Sequence, residues 1–107
     1  MKLLKFAPNL IPLILSGEKT STWRLFDDKE LKEGDVLDLL NKETLQKFVS
    51  VVIVKVREKK LGDVESSDFE GHEKFESAEK MLETYKKYYG DMVSTHTVVK
   101  MIDFKLL

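Results

Sequence analysis

The stretch 48–56, Phe-Val-Ser-Val-Val-Ile-Val-Lys-Val, constrains this chain more than any other. Six of these nine residues are valine or isoleucine, whose branched Cβ favours extended backbone over helix. Apolar residues fall on both faces of the expected strand. The segment therefore belongs in the middle of a sheet, covered on each side.

Further strands are predicted around it. Residues 2–6 and 20–26 read as strands, the second rich in threonine and aromatics. The turn Lys32-Glu33-Gly34-Asp35 leads into a strand over residues 36–40. In residues 97–106, Val98, Lys100, Ile102, Phe104 and Leu106 share one face, and Val99, Met101, Asp103 and Lys105 the other. Two helices complete the set. The first covers 10–16, with Asn9 as cap, Pro12 in its first turn and Gly17 as a left-handed stop. The second starts at the N-cap Ser77 and runs to about Tyr89, with Ala78, Met81, Leu82, Tyr85 and Tyr89 as its apolar stripe. Residues 27–33, 61–67 and 68–76 read as loops.

Strands outnumber helices and do not alternate with them, which argues against a doubly wound parallel sheet. The expectation is an α+β, mainly β fold: a small barrel with flanking helices. No repeat, linker or low-complexity tract interrupts the chain, so residues 1–107 read as a single domain.

Composition narrows the function. With 42% hydrophobic and 35% charged residues, the chain carries enough apolar material for one core. The absence of cysteine removes disulfides and thiolate metal sites. The first residues lack a signal-peptide pattern, and the longest nearly apolar stretch, 10–15, is far short of a membrane span. A cytoplasmic location and no membrane partner are expected. A net charge of −1 argues against coating double-stranded DNA, where affinity rests on many phosphate contacts. A nucleoside, an RNA end or a short single strand stays compatible with it.

Three constellations carry candidate chemistry. In residues 17–24, strand alternation puts Thr20, Thr22 and Arg24 on one face and Ser21 and Trp23 on the other. Two hydroxyls and a guanidinium fork suit an oxygen-rich ligand. Glu70-Gly71-His72-Glu73 sets carboxylates beside an imidazole, and neither His72 nor His96 lies in a metal-binding spacing, so no metal and no cofactor are expected. In Tyr85-Lys86-Lys87-Tyr88-Tyr89, Tyr85 and Tyr89 belong to the core stripe, which leaves Tyr88, Lys86 and Lys87 to meet a ligand.

Gly17-Glu18-Lys19-Thr20-Ser21-Thr22-Trp23-Arg24 resembles the Gly-x-Lys-Thr-x-(Glu/Thr)-x-Arg signature of the ASCH domain, the activating signal cointegrator homology domain. The turn Glu33-Gly34-Asp35, the block Glu70-Gly71-His72-Glu73-Lys74-Phe75 before a helix ending Tyr88-Tyr89-Gly90, and the strand Val99-Lys100-Met101-Ile102-Asp103-Phe104 follow in the family's order. The resemblance implies a PUA-like β-barrel of five or six strands with flanking helices, and a cleft suited to RNA or nucleotides. It also implies a metal-independent amidohydrolase as an alternative to binding, since a small bacterial member of the group converts N4-acetylcytidine to cytidine and acetate. By motif position the catalytic set looks like Lys19, Thr22 and Glu73. The residues themselves add Thr20, Trp23, Arg24, His72 and Tyr88 as expected ligand contacts, with Trp23 and Tyr88 as exposed aromatics. Lys19 and Thr22 stand an odd number of residues apart, so they meet only if Lys19 lies in the turn before the strand becomes regular.

Overall fold

The computed structural model describes residues 2–107. It is mainly β, with strands β1 (Lys2–Phe6), β2 (Ser21–Leu25), β3 (Val36–Asn41), β4 (Lys47–Lys60) and β5 (Val98–Leu106), and helices α1 (Ile11–Leu15) and α2 (Ala78–Tyr89). The five strands form one sheet in the order β1-β3-β4-β5-β2. The pair β1–β3 is parallel and the other pairs are antiparallel. The valine-rich strand is central, as its composition demands.

The sheet curls into a half-barrel whose edge strands, β1 and β2, approach one another without a backbone ladder. A side chain spans the seam: Arg24 Nη2 on β2 donates to the Lys5 carbonyl on β1 at 3.2 Å. The same guanidinium lies 4.9 Å from the centre of the Phe6 ring. A cation over an aromatic face is a favourable electrostatic contact.

Each face of the sheet has its own core. Leu4, Phe6, Leu37, Val51, Ile53 and Ile102 pack inside the curl. Trp23, Leu25, Val99 and Met101 pack on the other face against Met81 and Tyr85 of α2. Strand β5 serves both cores, with Val99 and Met101 facing one and Ile102 and Phe104 the other.

Several local expectations are corrected. Strand β4 runs on to Lys60, and its register shifts between Ile53 and Lys55, which turns Val54 outward to half exposure. Its apolar residues are therefore not equally covered on both faces. Asn9 is not a cap: it sits inside a 3₁₀ turn, Pro8–Leu10, that runs directly into α1. Ser77 does cap α2, its hydroxyl accepting from the Lys80 N–H at 3.2 Å. Among the described residues no helix is long and apolar enough to cross a membrane.

The segment between β4 and α2 is fixed by Asp68, a buried carboxylate. It accepts from Arg57 Nη1 at 2.7 Å, Lys59 Nζ at 2.8 Å and the Glu65 N–H at 2.8 Å. Burial alone would raise its pKa, but the Glu65 N–H and the two cations outweigh it and hold the carboxyl at about 2. A depressed carboxylate stabilises the fold above its unfolded pKa, near 4, and that contribution fades as pH falls through the folded value. Asp68→Asn is expected to cost roughly 2–4 kcal/mol at neutral pH, because it removes the charge that two cations share and turns one acceptor oxygen into a donor. Urea unfolding at several pH values checks this: the gap between wild type and variant should narrow from about pH 5 towards pH 2.

Candidate functional site

Gly17, with φ of +85°, ends α1 and reverses the chain. The Lys19 N–H then donates to the Leu13 carbonyl at 2.9 Å, and regular strand begins only at Ser21. Lys19 therefore lies in the turn, where its side chain is freed from strand alternation. Lys19 and Thr22 are each 4% exposed and line one cavity of about 410 Å³ at the β1–β2 seam.

Glu73 comes to this cavity from the segment before α2. Its Oε2 lies 2.6 Å from Lys19 Nζ. The backbone that carries it is clamped at Gly71, whose carbonyl accepts from both Thr20 N at 2.9 Å and Ser21 N at 3.2 Å. Gly71 has φ of +75°, and a Cβ there would collide with Thr20 Oγ1. Glycine is needed at this crossing for both reasons.

His72 lies over the indole of Trp23, with ring centres 4.3 Å apart and planes 20° apart. Its Nδ1 is 2.8 Å from the Glu73 carbonyl. Phe69 and Phe75 extend the aromatic group, and Phe75 reaches Tyr85 at 5.9 Å between ring centres.

The electrostatics follow from burial. Lys19 is driven below the ordinary lysine range by desolvation; the Glu73 hydrogen bond and charge oppose this, and Arg24 adds a smaller push downward. For Glu73, partial burial works upward, but the Lys19 ammonium prevails and the carboxyl stays below its ordinary value. His72 falls to about 4, first through desolvation and then through the Lys19 charge, against the pull of Glu73. The imidazole is neutral at physiological pH. Two donors here have no partner within the protein: Trp23 Nε1 and Arg24 Nε are buried and unbonded. A buried unsatisfied N–H is costly, so a ligand acceptor reaching either would be favoured.

Of the residues named from sequence, Lys19, Thr22, Trp23, Arg24, His72, Glu73 and Tyr88 line this cavity. Thr20 does not. It is exposed and serves the Gly71 clamp, because the strand alternation that would align it with Thr22 has not yet begun. Trp23, expected as an exposed aromatic, is 4% exposed, stacked under His72. Lys86 and Lys87 lie outside the lining, while the core residues Tyr85 and Tyr89 join it. Lys5 and Lys42 also line it. Nothing in the sequence singles them out, since isolated surface lysines are ordinary.

No protein-family model and no curated protein sequence matches this chain. Solved structures do resemble it. A family-model DUF984 protein from Enterococcus faecalis superposes with a TM-score of 0.76 at 18% identity, over 92% of this chain and 70% of that one. The ASCH domain from Lactobacillus crispatus gives 0.73 at 14% identity, over 98% and 79%. The ASCH protein from Zymomonas mobilis gives 0.68 at 10% identity, over 96% and 65%. At these identities the likeness defines the fold alone: this is an ASCH-type fold, α+β and mainly β.

Two measurements probe the site. In a proton NMR titration the His72 ring resonances should stay in the neutral position from about pH 8 to below pH 5.5 and shift only near pH 4. Gly71→Ala should destabilise the protein by about 1–3 kcal/mol and displace Glu73, moving the Lys19 Nζ resonance. Adding Thr20→Ala should recover part of that loss by removing the Oγ1 that the new Cβ meets.

Proposed function

We propose that the seam cavity binds a nucleoside-type ligand, either free or as part of a short single-stranded RNA. The observation that carries this reading is the cavity's make-up: about 410 Å³, walled by the rings of Trp23, Phe75, Tyr85 and Tyr89, with a few polar groups converging on it. Sites for small planar ligands have this size and this balance of apolar wall and sparse polar contacts. The unbonded Trp23 Nε1 is a donor for a carbonyl or ring-nitrogen acceptor of a base.

A second reading, amide hydrolysis of an N4-acylated cytidine, is favoured by one specific feature. Lys19 is buried beside Glu73, and the Thr22 hydroxyl opens into the same cavity. In this chemistry Thr22 Oγ attacks the acyl carbon and passes its proton to neutral Lys19 Nζ. Lys19 then protonates the departing exocyclic amine, and water releases the acid from the Thr22 ester. Glu73 holds Lys19 in position, and burial supplies the deprotonated fraction by lowering its pKa.

Trp23 is the sole tryptophan, so its fluorescence reports on the cavity directly. Cytidine or a short single-stranded RNA should change that emission saturably; an unchanged signal, with no binding heat by calorimetry, defeats the binding reading. Incubation with N4-acetylcytidine should release cytidine and acetate. Lys19→Ala and Thr22→Ala should each lower the rate at least about a hundredfold, with Thr22→Ser retaining activity. No turnover with enzyme in excess of substrate defeats the hydrolase reading and leaves the binding reading standing.

A further inference from the structure

The net charge of the chain is −1, yet the cavity lining holds Lys5, Lys19, Arg24 and Lys42 against one carboxylate, Glu73. Glu73 is taken up by Lys19 at 2.6 Å. Among the described residues none of Lys5, Arg24 and Lys42 has a carboxylate within ion-pair distance, although the chain forms such pairs elsewhere.

The residues that carry these three cations come from separate elements and line the same seam cavity. Arg24 on β2 reaches β1 through the Lys5 carbonyl at 3.2 Å. Lys42, just past β3, is tied to the same edge by its N–H, which donates to the Phe6 carbonyl at 2.9 Å. Its Nζ lies 5.9 Å from the ring centre of Tyr88, the exposed aromatic of the lining. Arg24 Nε is buried without a partner. The guanidinium is partly withdrawn from water: burial lowers its pKa despite neighbouring tyrosines. A bound anion offsets that desolvation and supplies the missing acceptor.

Besides Trp23, His72 and the paired Lys19 and Glu73, the lining therefore offers three cations without a carboxylate partner among the described residues. We infer that Lys5, Arg24 and Lys42 form a phosphate subsite at the β1–β2 seam, and that the cavity takes a nucleoside monophosphate unit in preference to a neutral nucleoside. This rests on the nucleoside reading above and adds the charge of the ligand to it. Arginine supplies a planar fork for two phosphate oxygens, and the lysines supply point charges at the rim. The unit has two sources: a free nucleotide, or the phosphorylated 5′ end of an RNA.

Calorimetric titrations with cytidine, cytidine 5′-monophosphate and a cytidine-initiated trinucleotide, with and without its 5′ phosphate, test this. The monophosphate should bind at least roughly tenfold tighter than cytidine at low ionic strength, and the ratio should shrink as salt is added. Lys5→Ala and Lys42→Ala should each bring the ratio towards one, and Lys42→Arg should restore it. A gain on phosphorylating the trinucleotide as large as that for the mononucleotide identifies an RNA end; a gain confined to the mononucleotide identifies a free nucleotide. Equal binding of cytidine and its monophosphate overturns the phosphate subsite and leaves the nucleoside reading intact. Binding of neither overturns both.

Discussion

A lysine ammonium buried to 4% exposure sets the terms for this site. An isolated charge at that depth is too costly to keep, so it must find a partner or lose its proton. Lys19 is held between those outcomes. Glu73 supplies the partner at 2.6 Å, while burial pulls the lysine towards neutrality. The pair works only if the segment before α2 lies across the start of β2. That crossing rests on the Gly71 carbonyl, which accepts the N–H groups of Thr20 and Ser21 where β2 begins.

The same segment is pinned at its other end by Asp68, gripped by Arg57 and Lys59 from the far reach of β4. The extension of β4 beyond its valine run thus has a purpose. It carries two cations out to where they can anchor the chain that delivers His72 and Glu73. Meanwhile the sheet stops short of closing as a barrel. Its two edges leave a seam that Arg24 spans, and the cavity occupies that seam, with α2 providing its aromatic wall.

Much of this was legible residue by residue. Alternation and β-branching located the strands, the stripe Met81, Leu82, Tyr85 and Tyr89 located α2, and Gly17 marked the turn that frees Lys19. Errors arose where a local rule met a longer-range one. Asn9 looked like a cap, but the chain enters α1 through a 3₁₀ turn and needs none there. Thr20 looked like a ligand contact because alternation was counted from one residue too early. Trp23 looked exposed because the partner that covers it, His72, lies far along the chain.

The sequence by itself determined the class of fold, the strand and helix inventory and the residue types offered for chemistry, because these follow from periodicity and backbone preference within a few residues. Only the tertiary structure decided which of those residues meet. Lys5 and Lys42 are unremarkable surface lysines until the curl of the sheet brings β1 and the end of β3 to the cavity that Arg24 lines. Thr20 is a clamp rather than a contact only because Gly71, from a distant segment, docks against it. Such convergence is set by the packing of distant backbone segments, which no local pattern encodes.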